Sequence, residues 1–203
     1  NVLEMNLYQI VTPLITIGYL IIVFVLRSII VWRQSGVNPF VFSSTEKAHD
    51  YLGFIYKITV AFMAFTIGVY SFSSTLYSFL NPISYLDLEN VKITGVILLI
   101  LAFIWTLVAQ IQMSNSWRIG IDYDEKTELV NKGLFSVSRN PVFLGVVVFY
   151  IGVFLILPNS LSFTLVCVML VTVQVQVRLE EEYLMDSHGA EYKEYLKSVR
   201  RWL

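Results

Sequence analysis

The chain has 203 residues, 56% of them apolar and only 14% charged, against roughly 45–50% and about 25% in soluble globular domains. Its 14 Lys and Arg against 15 Asp and Glu leave a net charge of −1, which excludes a binder that neutralises nucleic-acid phosphates, and so apolar a chain cannot be disordered. The single cysteine, Cys167, excludes an internal disulfide and a cysteine-built zinc site, and an integral membrane protein is what remains.

A helix needs about 20 mostly apolar residues to cross the hydrocarbon core, and five runs read as crossings. Leu7 to Val31 is the first, with Arg27 near its end. Ile58 to Leu80 is the second, an uninterrupted run closed by the turn signal Asn81-Pro82. Ile93 to Met113, Val142 to Leu157 and Leu161 to Val177 follow. The fourth run would reach only about 24 Å at 1.5 Å per residue, so it is expected inside the bundle or helped by its flanks. Only Pro158-Asn159-Ser160 separates it from the fifth, which predicts an antiparallel helical hairpin.

The predicted fold class is therefore all-α: a polytopic membrane helix bundle of about five transmembrane helices with an amphipathic C-terminal tail helix. With no internal repeat or linker, residues 1–203 read as one membrane domain. Residues 1–113 hold three crossings, and 114–203 hold a polar loop, the hairpin and the tail. The first run lacks a basic leader and a small-residue cleavage site, so it is not expected to be a removable signal peptide.

Lys and Arg give the expected orientation. Arg33, Lys47 and Lys57 flank the first two runs, Arg118, Lys126, Lys132 and Arg139 lie between the third and fourth, and Arg178, Lys193, Lys197, Arg200 and Arg201 follow the fifth. The opposite side carries only Lys92, beside Asp87 and Glu89. The positive-inside rule then predicts an outside N-terminus and a cytoplasmic C-terminus.

Most polar specificity falls in two segments of the cytoplasmic side. The first is an irregular loop from Ser114 through Asp122-Tyr123-Asp124-Glu125-Lys126 to Asn140-Pro141. An Asn-Pro pair opening an apolar run is an ordinary helix start, with Asn as N-cap and Pro where its missing N–H matters least. The second segment opens on Arg178-Leu179-Glu180-Glu181-Glu182; three carboxylates at a membrane boundary are costly unless solvated or paired. Beyond Gly189, Tyr192, Tyr195, Leu196 and Val199 recur at helical spacing. This tail either lies on the membrane surface or folds over a cytoplasmic pocket.

The stretch from Gly133 to Gly145, Gly-Leu-Phe-Ser-Val-Ser-Arg-Asn-Pro-Val-Phe-Leu-Gly, resembles the signature of the isoprenylcysteine carboxyl methyltransferase and phospholipid methyltransferase superfamily. That signature runs Gly-x-Tyr…Arg-His-Pro-x-Tyr-x-Gly, with an Arg-Asn-Pro variant in bacteria. Glu180-Glu181, His188-Gly189, Tyr192 and Tyr195 follow at matching spacing, and Ser116-Trp117-Arg118 is similar to the family's Ser-Trp segment. The resemblance covers about residues 114–203.

The resemblance implies an S-adenosyl-L-methionine-dependent methyltransferase. Its cofactor would sit between the Arg-Asn-Pro loop and the Glu-Glu tail, and a lipophilic acceptor would arrive from the lipid bilayer. The implied catalytic residues are Arg139, Asn140 and Glu181. The implied cofactor contacts are Val130, Gly133, Leu134, Arg139, Asn140, Pro141, Leu144, Glu180, Glu181, Tyr192 and Tyr195. Arg139 suits the cofactor carboxylate, Glu180 or Glu181 its ammonium or ribose hydroxyls, backbone amides from Val130 to Leu134 the adenine edge, and aromatic faces the adenine or sulfonium. Arg27, Trp117 and Phe143 are the candidate acceptor contacts. Arg27 either snorkels to the interface or turns inward to meet a headgroup or carboxylate.

Methyl transfer is an in-line displacement governed by alignment, so no metal and no nucleic acid are called for. Two departures matter. Asn140 stands where the family has His, which favours positioning over acid–base work, and Phe143 replaces a Tyr. His188 replaces a Phe, and His49 beside Asp50 reads as structural or solvated. The resemblance leaves the acceptor open among a prenylcysteine carboxylate, an aminophospholipid and a thiol. Two other functions compete: an NAD(P)H-dependent sterol-type membrane reductase, and a non-catalytic scaffold that keeps the fold.

Overall fold

A computed structural model describes residues 6–39, 48–121 and 128–203; Lys47 and the loop segment Asp122-Tyr123-Asp124-Glu125-Lys126 lie outside the described residues. Among those described, the protein is all-helical. Helix α1 runs Leu7–Ser35. Asn6 opens it with a reciprocal cap, its Oδ1 accepting the Gln9 N–H while the Gln9 Oε1 accepts the Asn6 N–H. A π-helical segment, Leu20–Leu26, interrupts it, and Gly36 at φ +74° closes it in the left-handed conformation that glycine adopts freely.

Helix α2 spans Ala48–Phe72, which corrects the expected second crossing at both ends. No proline lies between Ala48 and Ile58 to stop the helix from starting early. At the far end Ser73 turns extended, and its Oγ accepts the Leu76 N–H at 3.2 Å, capping a separate short helix α3, Ser74–Ser78. Helix α4 is Glu89–Met113, α5 Pro141–Ile156, α6 Ser160–His188 and α7 Ala190–Ser198.

Four helices, α1, α2, α4 and α6, are long and apolar enough to cross a membrane. Exposed Ile97, Leu101, Ile104 and Ile111 along α4 are where lipid takes the place of water. Helix α5, with 16 residues, is the short one and is packed inside as expected: Val146, Phe149, Tyr150 and Val153 are all buried in the main core. Helix α6 does not end at Val177. It continues about three further turns, so Glu180, Glu181 and Glu182 lie on the same rod as the fifth crossing, not on a new helix start.

The hairpin turn is fixed by its own residues. Asn159, fully buried, accepts the Ser162 N–H at 2.9 Å and returns its own N–H to the Ser162 Oγ at 3.1 Å. The turn after α3 docks on it, Ile83 N–H on the Pro158 carbonyl and Ser160 N–H on the Leu80 carbonyl. These loops close one end of the bundle, leaving the polar segments at the other.

Helices α4 and α5 touch through small residues. A Cβ built on Gly95 would lie 2.8 Å from the Gly152 carbonyl oxygen, and one on Gly152 would lie 3.0 Å from that of Gly95. Backbones can approach this closely only where side chains vanish, and the resulting dispersion contacts drive helix association in lipid. Nearer the polar end, a Cβ on Gly145 would run into the Thr106 Oγ1. Thr106 is itself fully buried and donates to the Ala102 carbonyl at 2.7 Å. Beside it Tyr19 of α1 stacks on Phe149 at 4.0 Å between ring centroids.

Gly145→Ala is therefore expected to cost about 1–3 kcal/mol by overpacking, read as a lower thermal unfolding midpoint in detergent. Adding Thr106→Ala should return most of that loss, because it removes the atom in the way. Simple additivity of the two changes would show that the α4–α5 contact does not set this position.

Candidate functional site

The signature segment folds as a 3-10 turn, Gly133–Ser136, followed by the start of α5. Gly133 adopts φ +63°, and a Cβ there would lie 2.5 Å from the Gln112 side-chain amide. That amide's Oε1 accepts the Leu134 N–H at 2.8 Å. Both conformation and space thus demand the signature's first glycine. At the other end Pro141 occupies the first helical position and Asn140 the cap position, as expected, but the Asn140 side chain caps nothing. Its Nδ2 donates instead to the Arg201 carbonyl at 3.1 Å.

Residues 138–140 hold the C-terminal strap. The Arg139 N–H donates to the Arg200 carbonyl at 2.9 Å, its Nη1 donates to the Val199 carbonyl at 2.7 Å, and the Ser138 hydroxyl reaches the Arg201 carbonyl at 3.4 Å. Glu181 of α6 completes the latch. Its Oε1 accepts from Arg139 Nη2 at 2.8 Å and from Arg201 Nε at 3.0 Å, and its Oε2 accepts from Arg201 Nη2 at 2.6 Å. The Arg139 and Glu181 side chains are 10% and 14% exposed, dry enough for charge-assisted hydrogen bonds to count.

The latch settles the two readings of the tail. Gly189 turns the chain at φ +54°, and α7 folds back with Tyr192 and Tyr195 buried against Leu129, Leu184 and Met185. The Tyr195 hydroxyl donates to the Phe135 carbonyl at 2.6 Å. Burial pushes this hydroxyl up to about 12 from its ordinary 10. Its docking energy is therefore complete below pH 10 and is lost as pH climbs through the raised value.

Between tail, loop and α6 lies an open cleft whose enclosed part is small, about 120 Å³. The structure brings Val130, Arg139, Asn140, Glu180, Glu181, Tyr192 and Tyr195 to its wall, although two stretches some 40 residues apart supply the charged ones. Arg139 keeps its Nε buried without a partner. Glu180 accepts from Gln176 Nε2 at 3.0 Å, and no ion pair reaches it among the described residues.

Other expected contacts lie outside the lining. Gly133 and Leu134 pack on Gln112, Pro141 lends its carbonyl to Trp105 Nε1 at 2.9 Å, and the Leu144 N–H closes the first turn of α5 on Asn140. Phe143 packs against the main core. Trp117 is buried among Val31, Ala109, Phe135 and Val142. Arg27 turns inward, as one of its two readings had it, but onto backbone: its Nη2 donates to the carbonyls of Gln110 and Ser114 at 3.0 and 2.7 Å, where a cation favours a helix C-terminus.

The cleft also has walls that were not expected, chiefly Met113, Arg118, Ile121, Phe135 and Tyr183, with Arg201 as the latch's second cation. Helical spacing from Glu180 points to Tyr183 and Leu184; nothing in the sequence separates Arg201 from Arg200. His49 is structural: its buried Nε2 accepts the Ile121 N–H at 2.6 Å and so braces the loop against α2.

Residues 91–191 match the family model for phospholipid methyltransferase. Within the chain, 72 residues are 39% identical to protein-S-isoprenylcysteine O-methyltransferase of Saccharomyces cerevisiae; the aligned part is 35% of this chain and 30% of the yeast protein.

Glu181→Ala leaves two guanidiniums facing each other, a loss of about 3 kcal/mol at the lower end of what breaking a buried pair costs. Trypsin should then cut at Lys193 and Lys197 well before the bundle unfolds, whereas the parent protein resists. Equal cutting rates would mean that the latch does not hold the tail.

Proposed function

The chain belongs to the isoprenylcysteine carboxyl methyltransferase and phospholipid methyltransferase superfamily, and on that premise we propose that its cleft binds S-adenosyl-L-methionine and serves methyl transfer to a lipophilic acceptor delivered by the bilayer. The observation that carries this reading is a pairing inside one cleft. Arg139 Nε is a buried donor with no acceptor, and Glu180 is a carboxylate with no cation among the described residues. A zwitterionic amino-acid end, carboxylate toward Arg139 and ammonium toward Glu180, satisfies both.

When bound, the cofactor supplies an activated methyl group on a sulfonium. The chain's own residues bind, orient and enclose. Glu181, with both oxygens taken by guanidiniums, keeps Arg139 and the strap in place, a positioning role in contrast to the direct contact expected from the signature. Asn140 acts the same way through the Arg201 carbonyl. Tyr192 and Tyr195 of α7, with Phe135, offer aromatic walls suited to an adenine or a cation. The amides near Val130 and the guanidinium of Arg118, which lines the cleft, are further donors. We place the cleft on the cytoplasmic side, with the N-terminus outside, on the distribution of Lys and Arg.

The nicotinamide-dependent reductase is not favoured by the family match. A scaffold that kept the fold would bind the cofactor product yet label nothing. Calorimetry with S-adenosylhomocysteine is expected to show binding to the detergent-solubilised protein. Glu180→Gln should weaken that binding by roughly 10- to 100-fold, the value of a hydrogen bond to a charged group, and Arg139→Lys, which removes Nε but keeps a cation for Glu181, should weaken it as well. Incubation with labelled methyl donor and a total lipid extract should give a labelled lipophilic product. Failure of the parent protein to bind would end the reading.

A further inference from the structure

Residues 58–86 carry no Asp, Glu, Lys or Arg, and this uncharged run outlasts its helix. Helix α2 ends at Phe72, and the rest forms α3, the turn docked on the α5–α6 hairpin and a 3-10 turn at Ser84–Leu86. Surfaces that meet water ordinarily intersperse charges of both signs. Here Phe72, Phe79 and Tyr85 are instead 81%, 76% and 76% exposed, and Leu76 is more than half exposed. Large apolar side chains grouped and uncovered in this way mark a contact surface.

Level, backbone and charge together indicate what covers it. The Ile83 N–H donates to the Pro158 carbonyl at 2.8 Å and the Ser160 N–H to the Leu80 carbonyl at 3.0 Å, so residues 80–83 sit level with the first turn of α6, a membrane-crossing helix. Exposed Phe163 lies just inside that turn, and exposed Phe62 and Phe65 of α2 lead to Phe72. The lipid-facing sides of two helices thus run without a break into the segment. Its irregular backbone is satisfied from within. The amides of Tyr77, Phe79, Leu80 and Leu86 donate to the carbonyls of Ser73, Leu76, Tyr77 and Ile83 at 2.9 to 3.2 Å, as chain outside a regular helix must where water is scarce. Charge returns directly afterwards. Asp87 pairs with Lys92 at 2.6 Å, and Glu89 accepts the Tyr8 hydroxyl at 2.5 Å.

We propose that residues 72–86 lie in the plane of the bilayer as an interfacial segment, with Phe72, Leu76, Phe79 and Tyr85 seated where headgroups meet acyl chains in the leaflet away from the cleft. The partner is lipid, held through apolar area and through aromatic rings at headgroup level. Having no charge of its own, the patch offers an anionic headgroup nothing, so zwitterionic phosphatidylcholine suffices. The same apolar surface continues along α2, which lipid covers, and no protein partner is needed to shield it. The segment therefore carries the chain from α2 to α4 without entering water and helps to fix the depth at which the bundle sits.

The test uses the whole protein in phosphatidylcholine vesicles, with Cys167→Ser as background so that one introduced cysteine carries a fluorescent label. Phe79→Cys puts the label on the segment. Asn90→Cys, exposed and just past Glu89, puts it beyond the charges. Lipids brominated on their acyl chains should quench the label at position 79. Bromines near the headgroup should quench it more than bromines near the chain ends, because an interfacial segment is buried only about 5–10 Å. Iodide on both sides of the membrane should quench the label at position 90 and spare the one at 79. If Phe79→Cys does not reconstitute, Tyr85→Cys serves, since that side chain is equally exposed. Iodide quenching at 79 equal to that at 90 would put the segment in water. Quenching by neither agent would put protein over it, and strongest quenching by the deepest bromines would put it in the hydrocarbon core. Each of these three results overturns the proposal.

Discussion

The structure of the polar end depends on one carboxylate shared by two guanidiniums. Glu181 joins the start of α5, through Arg139, to the C-terminal strap, through Arg201, and does so from the extension of α6. Three segments far apart in the chain are thereby held to a common point. The trio carries a net positive charge, and Arg139 Nη1 donates to the tail carbonyls of Leu196 and Val199. Remove the carboxylate, and the same arginines that gather the tail would repel one another.

The apolar part of the bundle decides where that point lies. Gly95 and Gly152 let α4 and α5 approach until backbone meets backbone, and Gly145 makes room for the Thr106 side chain, so the axial position of α5 is fixed to within a side chain's width. Asn140 and Pro141 inherit that position. The close helix contact and the ionic latch are therefore successive parts of one arrangement: packing sets the level of the Arg-Asn-Pro segment, and charge brings the tail to it.

Much of this was legible in the sequence because its causes are local. Runs of apolar residues located four of the crossings, the brevity of Val142 to Leu157 predicted an enclosed helix, and the helical spacing of Tyr192 and Tyr195 predicted a face that needs burial. The second crossing was misplaced because Ser73 breaks the helix by taking up an extended backbone, which hydropathy does not register. The cleft was half legible. Arg139, Glu180, Tyr192 and Tyr195 meet there, but pairwise choices were hidden: which glutamate is consumed by cations, which C-terminal arginine consumes it, and that the Asn140 amide turns to a distant carbonyl instead of its own helix. Such choices depend on contacts between segments about 20 to 60 residues apart, and a single sequence does not encode them as a pattern. Arg27 and Trp117 show the converse. Their chemistry invites a ligand, and the fold gives them a helix end and a packed interior.

The shortness of α5 has a consequence for the bilayer. Its 16 residues rise about 24 Å, less than the roughly 30 Å of hydrocarbon that its long neighbours traverse. Since the far turn is level with the other loops, the deficit falls at the polar end. The Arg-Asn-Pro segment therefore begins about two turns short of the end of α4, where the Pro141 carbonyl accepts from Trp105 Nε1.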